Sequence, residues 1–417
     1  MIALLAAALA GNPQLETFDH VVVRVQAAHP ADWDASAWHT EAARLRKHAK
    51  RTRTPSELRP VLFELLGTLG QSHFGVMPGQ WDEAPLFAEG IGAAGGGTAG
   101  LAFCLLDDRL VVWRVTPGSP ADVAGIRPGA VVSAIDGQLV EPVRAALFEH
   151  QDATVAAVLL QRWARSRVDG RLGETVALEL DSGPVSVGRT AEGVFIAPAL
   201  GIVPPMASVW AERVVPVGDH TVRYLGIESF VVPVIPRFQA AVQAARESDA
   251  ALVIDLRGNP GGVLTVGQGL AGFLVSEPVS LGQSRSSFGD LSLPVSPRAP
   301  RQRFEGPVAL LVDGGSASTS EILAAGLSEA GRVRVFGQPT AGMALPSFFE
   351  TLPNGDVLQL AIGDYRTPSG ARIEGVGVQP DEPVPMGLEA LRSGGDPVLD
   401  AALAWLSATL PAGGSPE

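Results

Sequence analysis

The stretch from Val308 to Gly331 constrains the possible folds of this chain more than any other. Five apolar residues, Val308-Ala309-Leu310-Leu311-Val312, run unbroken into Asp313-Gly314-Gly315, and a helical pattern begins at Thr319. A short continuous apolar run of this kind reads as a strand covered on both faces, which a layered α/β domain provides. The same texture recurs over Tyr224 to Phe230 and Ala251 to Leu256, with a helical pattern from about Pro236 to Arg246 between them. Residues 191–390 are therefore predicted to form an α/β domain, followed by a C-terminal helix and tail over 391–417.

Upstream the pattern changes twice. Phe18, Val21, Val22 and Val25 recur at helix spacing, and Thr54-Pro55-Ser56-Glu57 is a helix start that opens Leu58 to Leu69, so 11–88 is predicted to be a helical domain running to about Pro78. After the glycine triplet Gly95-Gly96-Gly97, short strand patterns at Leu101 to Leu105 and Leu110 to Val115 and closing strands over Thr175 to Val187 predict a β-rich domain over 93–190. Residues 142–171 read as a helix-rich insertion in it. The predicted class is α/β and α+β multidomain.

With 417 residues, 46% of them hydrophobic, the chain can bury several cores. A net charge of −13, spread along the chain without acidic runs, argues against a nucleic-acid surface. One cysteine, Cys104, rules out an internal disulfide, and no Cys/His cluster has metal-ligand spacing, so neither a metal nor an organic cofactor is expected. Met1 to Ala10 is a short apolar run ending in Ala8-Leu9-Ala10. That ending fits an export signal over 1–10 and a secreted or periplasmic protein, although a positive start is missing and a buried first helix fits the run too. No run reaches the roughly 18 apolar residues of an integral membrane span.

Chemistry concentrates where strand meets helix. Ser318 and Glu321 form a Ser-x-x-Glu capping box, which puts Ser318 at a helix N-terminus whose free N–H groups favour a developing oxyanion. On pattern alone Ser318 is equally well a plain N-cap. His73 reads as easily as a structural histidine at a helix end, Ser72 as a turn residue, and Glu374 as a solvated loop carboxylate.

Three motifs in order narrow these choices. Ser316-Ala317-Ser318-Thr319-Ser320-Glu321 resembles the nucleophile motif of the tricorn-core and carboxy-terminal-processing serine proteases, in which the middle serine attacks. Val253 to Gly262, with Asp255, Arg257 and Asn259, is similar to that family's oxyanion strand and loop, and Gly375-Val376-Gly377-Val378-Gln379-Pro380-Asp381 to its closing signature. Gly100-Leu101-Ala102-Phe103, with Ser119-Pro120 and Asp136-Gly137, resembles a PDZ domain embedded in such proteases, whose glycine loop and strand would take a peptide carboxy terminus. The resemblance implies a crotonase-like protease fold, a peptide or protein substrate, and oxyanion N–H groups at Gly261 and Thr319.

One departure shapes the expected mechanism. Many relatives use a lysine base in a Thr-x-Gly-Lys segment, but this chain has Thr340-Ala341-Gly342-Met343 there and no lysine after Lys50. Leu69-Gly70-Gln71-Ser72-His73 is similar to the serine-histidine pair of the tricorn branch, which implies a tetrad of Ser318, His73, Ser72 and Glu374. An ordinary imidazole, near ~6.5, would then give activity that rises through about pH 6 to 7.5. Two other readings remain open at this level: a non-catalytic peptide-binding protein on the same scaffold, and an adaptor in which 93–190 carries the whole function.

Overall fold

The computed structural model describes residues 12–29, 33–79, 96–191, 194–198, 206–286 and 289–411. The expected export signal over 1–10 lies outside them.

Three helices open the chain: α1 (Pro13–Ala28), α2 (Ser36–Ala49) and α3 (Pro55–Gly67). Asn12 caps α1 by accepting from the Gln14 N–H at 3.0 Å, and Thr54 caps α3, with Pro at the first helical position in both. The helical expectation to Pro78 fails at its end. Gly70 takes a positive φ of 58°, the chain leaves the helix, and Gly75–Met77 becomes strand β1. That strand pairs antiparallel with Val357–Ala361, whose position in sequence gives no local signal. The helices close over the same distant segment: Phe18, Val21, Leu45 and Leu62 share a core with Leu345, Leu352, Leu358 and Leu360. Residues 11–88 therefore share a core with part of 191–390.

The next unit holds the hairpin β2 (Leu101–Leu106) and β3 (Arg109–Val115), then β4 (Val132–Ile135), α4 (Val140–His150), α5 (Ala153–Val168), β5 (Thr175–Leu180) and β6 (Gly183–Gly188). Both helices fall where an insertion was expected. They form a wall of the unit, because Leu147, Leu160 and Trp163 enter one core with Leu101, Phe103 and Val176.

The α/β unit runs β7 (Val194–Ala197), β8 (Met206–Val217), β9 (His220–Ile227), α6 (Val234–Ser248), β10 (Ala251–Asp255), α7 (Leu264–Ala271), β11 (Val279–Ser286), β12 (Gly289–Val295), β13 (Val308–Val312), α8 (Thr319–Glu329) and β14 (Arg334–Gly337). The hairpin β15 (Ser347–Thr351) and β16 (Val357–Ala361) follows, then β17 (Gly363–Arg366), β18 (Glu382–Pro383) and α9 (Pro397–Thr409). One sheet has the order β7-β8-β9-β10-β13-β14-β18 and is parallel from β9 onward.

Every residue of β10 and β13 is buried because both faces are covered. Leu252, Ile254, Leu310 and Val312 meet Phe238, Leu270 and Leu323 on one side. Val253, Ala309 and Leu311 meet Val398, Ala402 and Leu406 of α9 on the other. Asp255 lies opposite Leu311 in register, so the loops leaving β10 and β13 emerge side by side at the carboxyl edge of the sheet. In open α/β sheets that edge is where ligands bind. The whole is a mixed α/β multidomain fold.

Candidate active site

Ser318 is built on this edge by a loop with almost no freedom. Asp313 Oδ1 accepts from the N–H groups of Gly258 (2.8 Å) and Gly315 (2.9 Å), and the Ser316 hydroxyl donates to the Leu256 carbonyl at 2.7 Å. The two loops are thereby stitched together. The Ser318 N–H donates to the Met343 carbonyl (2.8 Å) and to Glu321 Oε2 (3.0 Å), and α8 begins one residue later. Ser318 itself has φ 55° and ψ −117°, in the left-handed region that a residue with a side chain occupies at a cost of about 1–3 kcal/mol. A strained serine between a strand and a helix N-terminus is the geometry of a nucleophile held clear of its own backbone.

The expected oxyanion donors divide. The Thr319 N–H has no acceptor among the described residues and sits at the start of α8. The Gly261 N–H is already taken by Asn259 Oδ1 at 2.8 Å, which corrects the expectation that it is a free donor. The neighbouring Gly262 N–H is the one left without an acceptor among the described residues. Gly261 matters through the side chain it lacks: a Cβ there would lie 2.7 Å from the Ser318 Cβ and 3.0 Å from the Thr319 nitrogen. Thr319 Oγ1 donates to the Gly262 carbonyl at 2.9 Å, which fixes this loop against α8.

Ser72, His73 and Glu374 come together from positions about 300 residues apart. Glu374 Oε1 accepts from the Ser72 N–H (2.9 Å), Oε2 from the Ser72 hydroxyl (3.1 Å), and Ser72 Oγ lies 2.7 Å from His73 Nδ1. The single Ser72 proton goes to the carboxylate, so Nδ1 carries the hydrogen that Ser72 Oγ accepts. That leaves the lone pair on Nε2. His73, like Ser318, is in the left-handed region, at φ 61°. The ring and the Ser318 hydroxyl are not hydrogen-bonded to each other in this structure. What joins their surroundings is the segment after Thr340: the Met343 carbonyl holds Ser318, and the next residue, Ala344, donates its N–H to Glu374 Oε2 at 2.8 Å. Met343, where the resemblance implied a lysine in many relatives, is buried with residues of the β-rich unit.

The electrostatics correct the histidine expectation. Burial, reinforced by Arg162 on α5, pushes His73 down to about 3, so its ring is neutral across the neutral range. Burial pushes Glu374 up, against the three donors that favour its ionised form. Glu321, read from the sequence only as a cap, is the group that reasoning missed. Its carboxylate accepts four hydrogen bonds in the wall of the site, and burial raises it to about 7. Asp255 and Arg257 fix the backbone: they pair at 2.7 Å, and Arg257 also holds Asp396 at the start of α9.

Gly100 precedes β2 and Leu101, Ala102 and Phe103 form its start; among the described residues β2 pairs in a ladder with β3 alone. Gly100 has φ 83°, and its N–H is held by Thr98 Oγ1 at 3.0 Å rather than free for a ligand. A cavity of about 80 Å³ lies beside β2 and α5, lined by Ala102, Phe103, Val158 and Arg162 among others, and it continues to Gly258 and Gly315 of the stitched loops.

Residues 221–384 match the profile described as peptidase family S41. Over 280 residues the chain is 30% identical to carboxyl-terminal-processing peptidase 2, chloroplastic, of Arabidopsis thaliana, an alignment that covers 66% of this chain and 50% of that protein. Over 293 residues it is 27% identical to the carboxy-terminal processing protease CtpB of Bacillus subtilis, covering 70% and 54%. The chain thus spans about half the length of these relatives. Among solved structures, a photosystem II D1 C-terminal processing protease superposes with a TM-score of 0.59 at 22% identity, covering 95% of this chain and 98% of the other. The tricorn protease superposes with 0.52 at 18% identity, covering 95% of this chain and 37% of its own. The second pair of likenesses speaks for the fold, and the profile and sequence matches carry the assignment: over residues 221–384 the chain belongs to peptidase family S41.

Proposed function

We propose that this chain is a secreted or periplasmic serine endopeptidase or C-terminal processing peptidase that works through Ser318, His73, Ser72 and Glu374 instead of a serine-lysine dyad. Ser318 Oγ attacks the peptide carbonyl while His73 Nε2 takes its proton. The tetrahedral oxyanion is received by the Thr319 N–H with the Gly262 N–H beside it. Collapse breaks the C–N bond, and the amine leaves with the proton from Nε2. Water then repeats the sequence on the acyl-enzyme and releases the acid. Ser72 and Glu374 hold the ring with Nε2 free. The open edge of β2, in the PDZ-like module, would pair with the substrate's carboxy-terminal strand.

The observation that carries this reading is the continuous His73–Ser72–Glu374 hydrogen-bonded chain, whose carboxylate also grips Ala344, next to the residue that fixes Ser318. It supplies a base where the lysine is missing. The test is labelling with a fluorophosphonate followed by mapping of the modified residue. Modification of Ser318, lost in Ser318→Ala and slowed on the order of 10²-fold in His73→Ala, is expected. Labelling elsewhere, or an undiminished rate in His73→Ala, defeats the tetrad.

A further inference from the structure

Glu321 is fully buried, and every group around its carboxylate is a donor. Oε2 accepts from the N–H groups of Ser318 (3.0 Å) and Met343 (2.8 Å), and Oε1 accepts from the Gly342 N–H (2.7 Å) and the Thr340 hydroxyl (2.6 Å). The Thr340 oxygen in turn accepts from the Val378 N–H at 2.6 Å, so its one proton is committed to Glu321. A proton on either carboxylate oxygen would face an N–H or O–H and find no acceptor. One charge therefore ties the left-handed backbone of Ser318 to the segment that, one residue later, is gripped by Glu374.

We propose that Glu321 is a positioning residue: its ionised carboxylate holds the Ser318 backbone in its strained conformation against residues 340–343, so the hydroxyl is presented to His73 only while that charge is in place. The proposal rests on Ser318 being the nucleophile, and it makes the site's response to acid a property of Glu321.

Burial also raises Glu374, which grips Ala344 across the segment, so the shift in Thr340→Val, at a contact of Glu321 and not of Glu374, assigns the response to Glu321. Among elements packed on α8, α7 has no titratable side chain, Arg285 of β11 is exposed, and Arg334 of β14 pairs with Glu382. Glu329, at the far end of α8 itself, receives Ser369. Tyr365 of β17 interacts with Glu321, but burial pushes its phenol up and it stays neutral. Across the segment, His73 is already neutral. Burial places Glu321 at about 7, so protonation of the clamp falls within the working range.

The test measures the saturating rate of Ser318 labelling by a fluorophosphonate from pH 5 to 9, on the full chain. For wild type the rate should rise through about pH 7 and level off. Glu321→Gln, which keeps the shape and loses the charge, should be slower by tenfold or more and flat with pH. Thr340→Val removes one donor that favours the charged form, so it should move the wild-type rise to higher pH, by about half to one unit. This variant keeps the test decisive where Glu321→Gln fails to fold. A Glu321→Gln protein that keeps the acid limb, or a Thr340→Val protein whose limb does not move, overturns the proposal. Wild type that is not labelled at Ser318 overturns the hydrolase reading itself, which is a different result.

Discussion

At the scale of single residues, the buried imidazole makes a prediction about folding as well as catalysis. His73 is held at about 3 in the folded chain and returns to its ordinary ~6.5 when unfolded. Between those values the unfolded state binds the extra proton, so stability rises with pH across the window, is complete above 6.5, and is lost on acidification. The slope is at most about 1.4 kcal/mol per pH unit. Urea unfolding of wild type and His73→Gln at pH 5 and 7.5 should show a smaller loss on acidification in the variant. Gly261 supplies a second test: in Gly261→Ala the new methyl lies 2.7 Å from the Ser318 Cβ, on a backbone with φ 100°. Turnover should fall on the order of 10²-fold with the circular dichroism of the wild type retained, because the displaced atoms are those of Ser318, the proposed nucleophile.

At the scale of elements, much was legible where the pattern is local. The unbroken apolar runs of β10 and β13 could only be strands covered on both sides, and Thr54-Pro55 and Asp396-Pro397 mark helix starts that the structure contains. Pairings between distant segments were not legible. β1 is three residues long and its partner lies about 280 residues on, so nothing near Gly75 announces a strand. The helices α4 and α5 show apolar spacing, but spacing does not say which surface they meet, and their place in the core of the β-rich unit was not legible. The link from Ser72 to Glu374 was accessible only through resemblance, and the Gly261 N–H was misassigned because the Asn259 side chain that occupies it is set by loop geometry. One element-scale prediction concerns α9. Asp396 caps it by accepting from the Leu399 N–H at 3.1 Å and also holds Arg257, beside the stitched loops. Asp396→Ala should cost roughly 1–2 kcal/mol in urea unfolding for the lost cap, with a further loss from the bared guanidinium. It should also lower turnover.

At the scale of the whole molecule, the units are not separable bodies. Ala317 and Met343, on either side of Ser318, lie in the core of the β-rich unit, and the helical segment shares its core with the β15–β16 hairpin. Excising 96–190 therefore should expose the backing of the nucleophile and slow Ser318 labelling by tenfold or more. An adaptor confined to 93–190 would show no Ser318 labelling in the full chain, and the isolated segment would reproduce the full chain's function.

The wide spacing of the interacting groups also sets an order of events during synthesis. Ser72 and its carboxylate partner are separated by 302 positions, and Arg257 waits for Asp396. At about 5–20 residues per second the ribosome needs some 15 to 60 s to cover the first interval. Throughout it the histidine is out but the carboxylate that orients it is not. On the assignment proposed above, a growing chain is a harmless polypeptide, and the capacity to cut appears only once synthesis has passed Glu374.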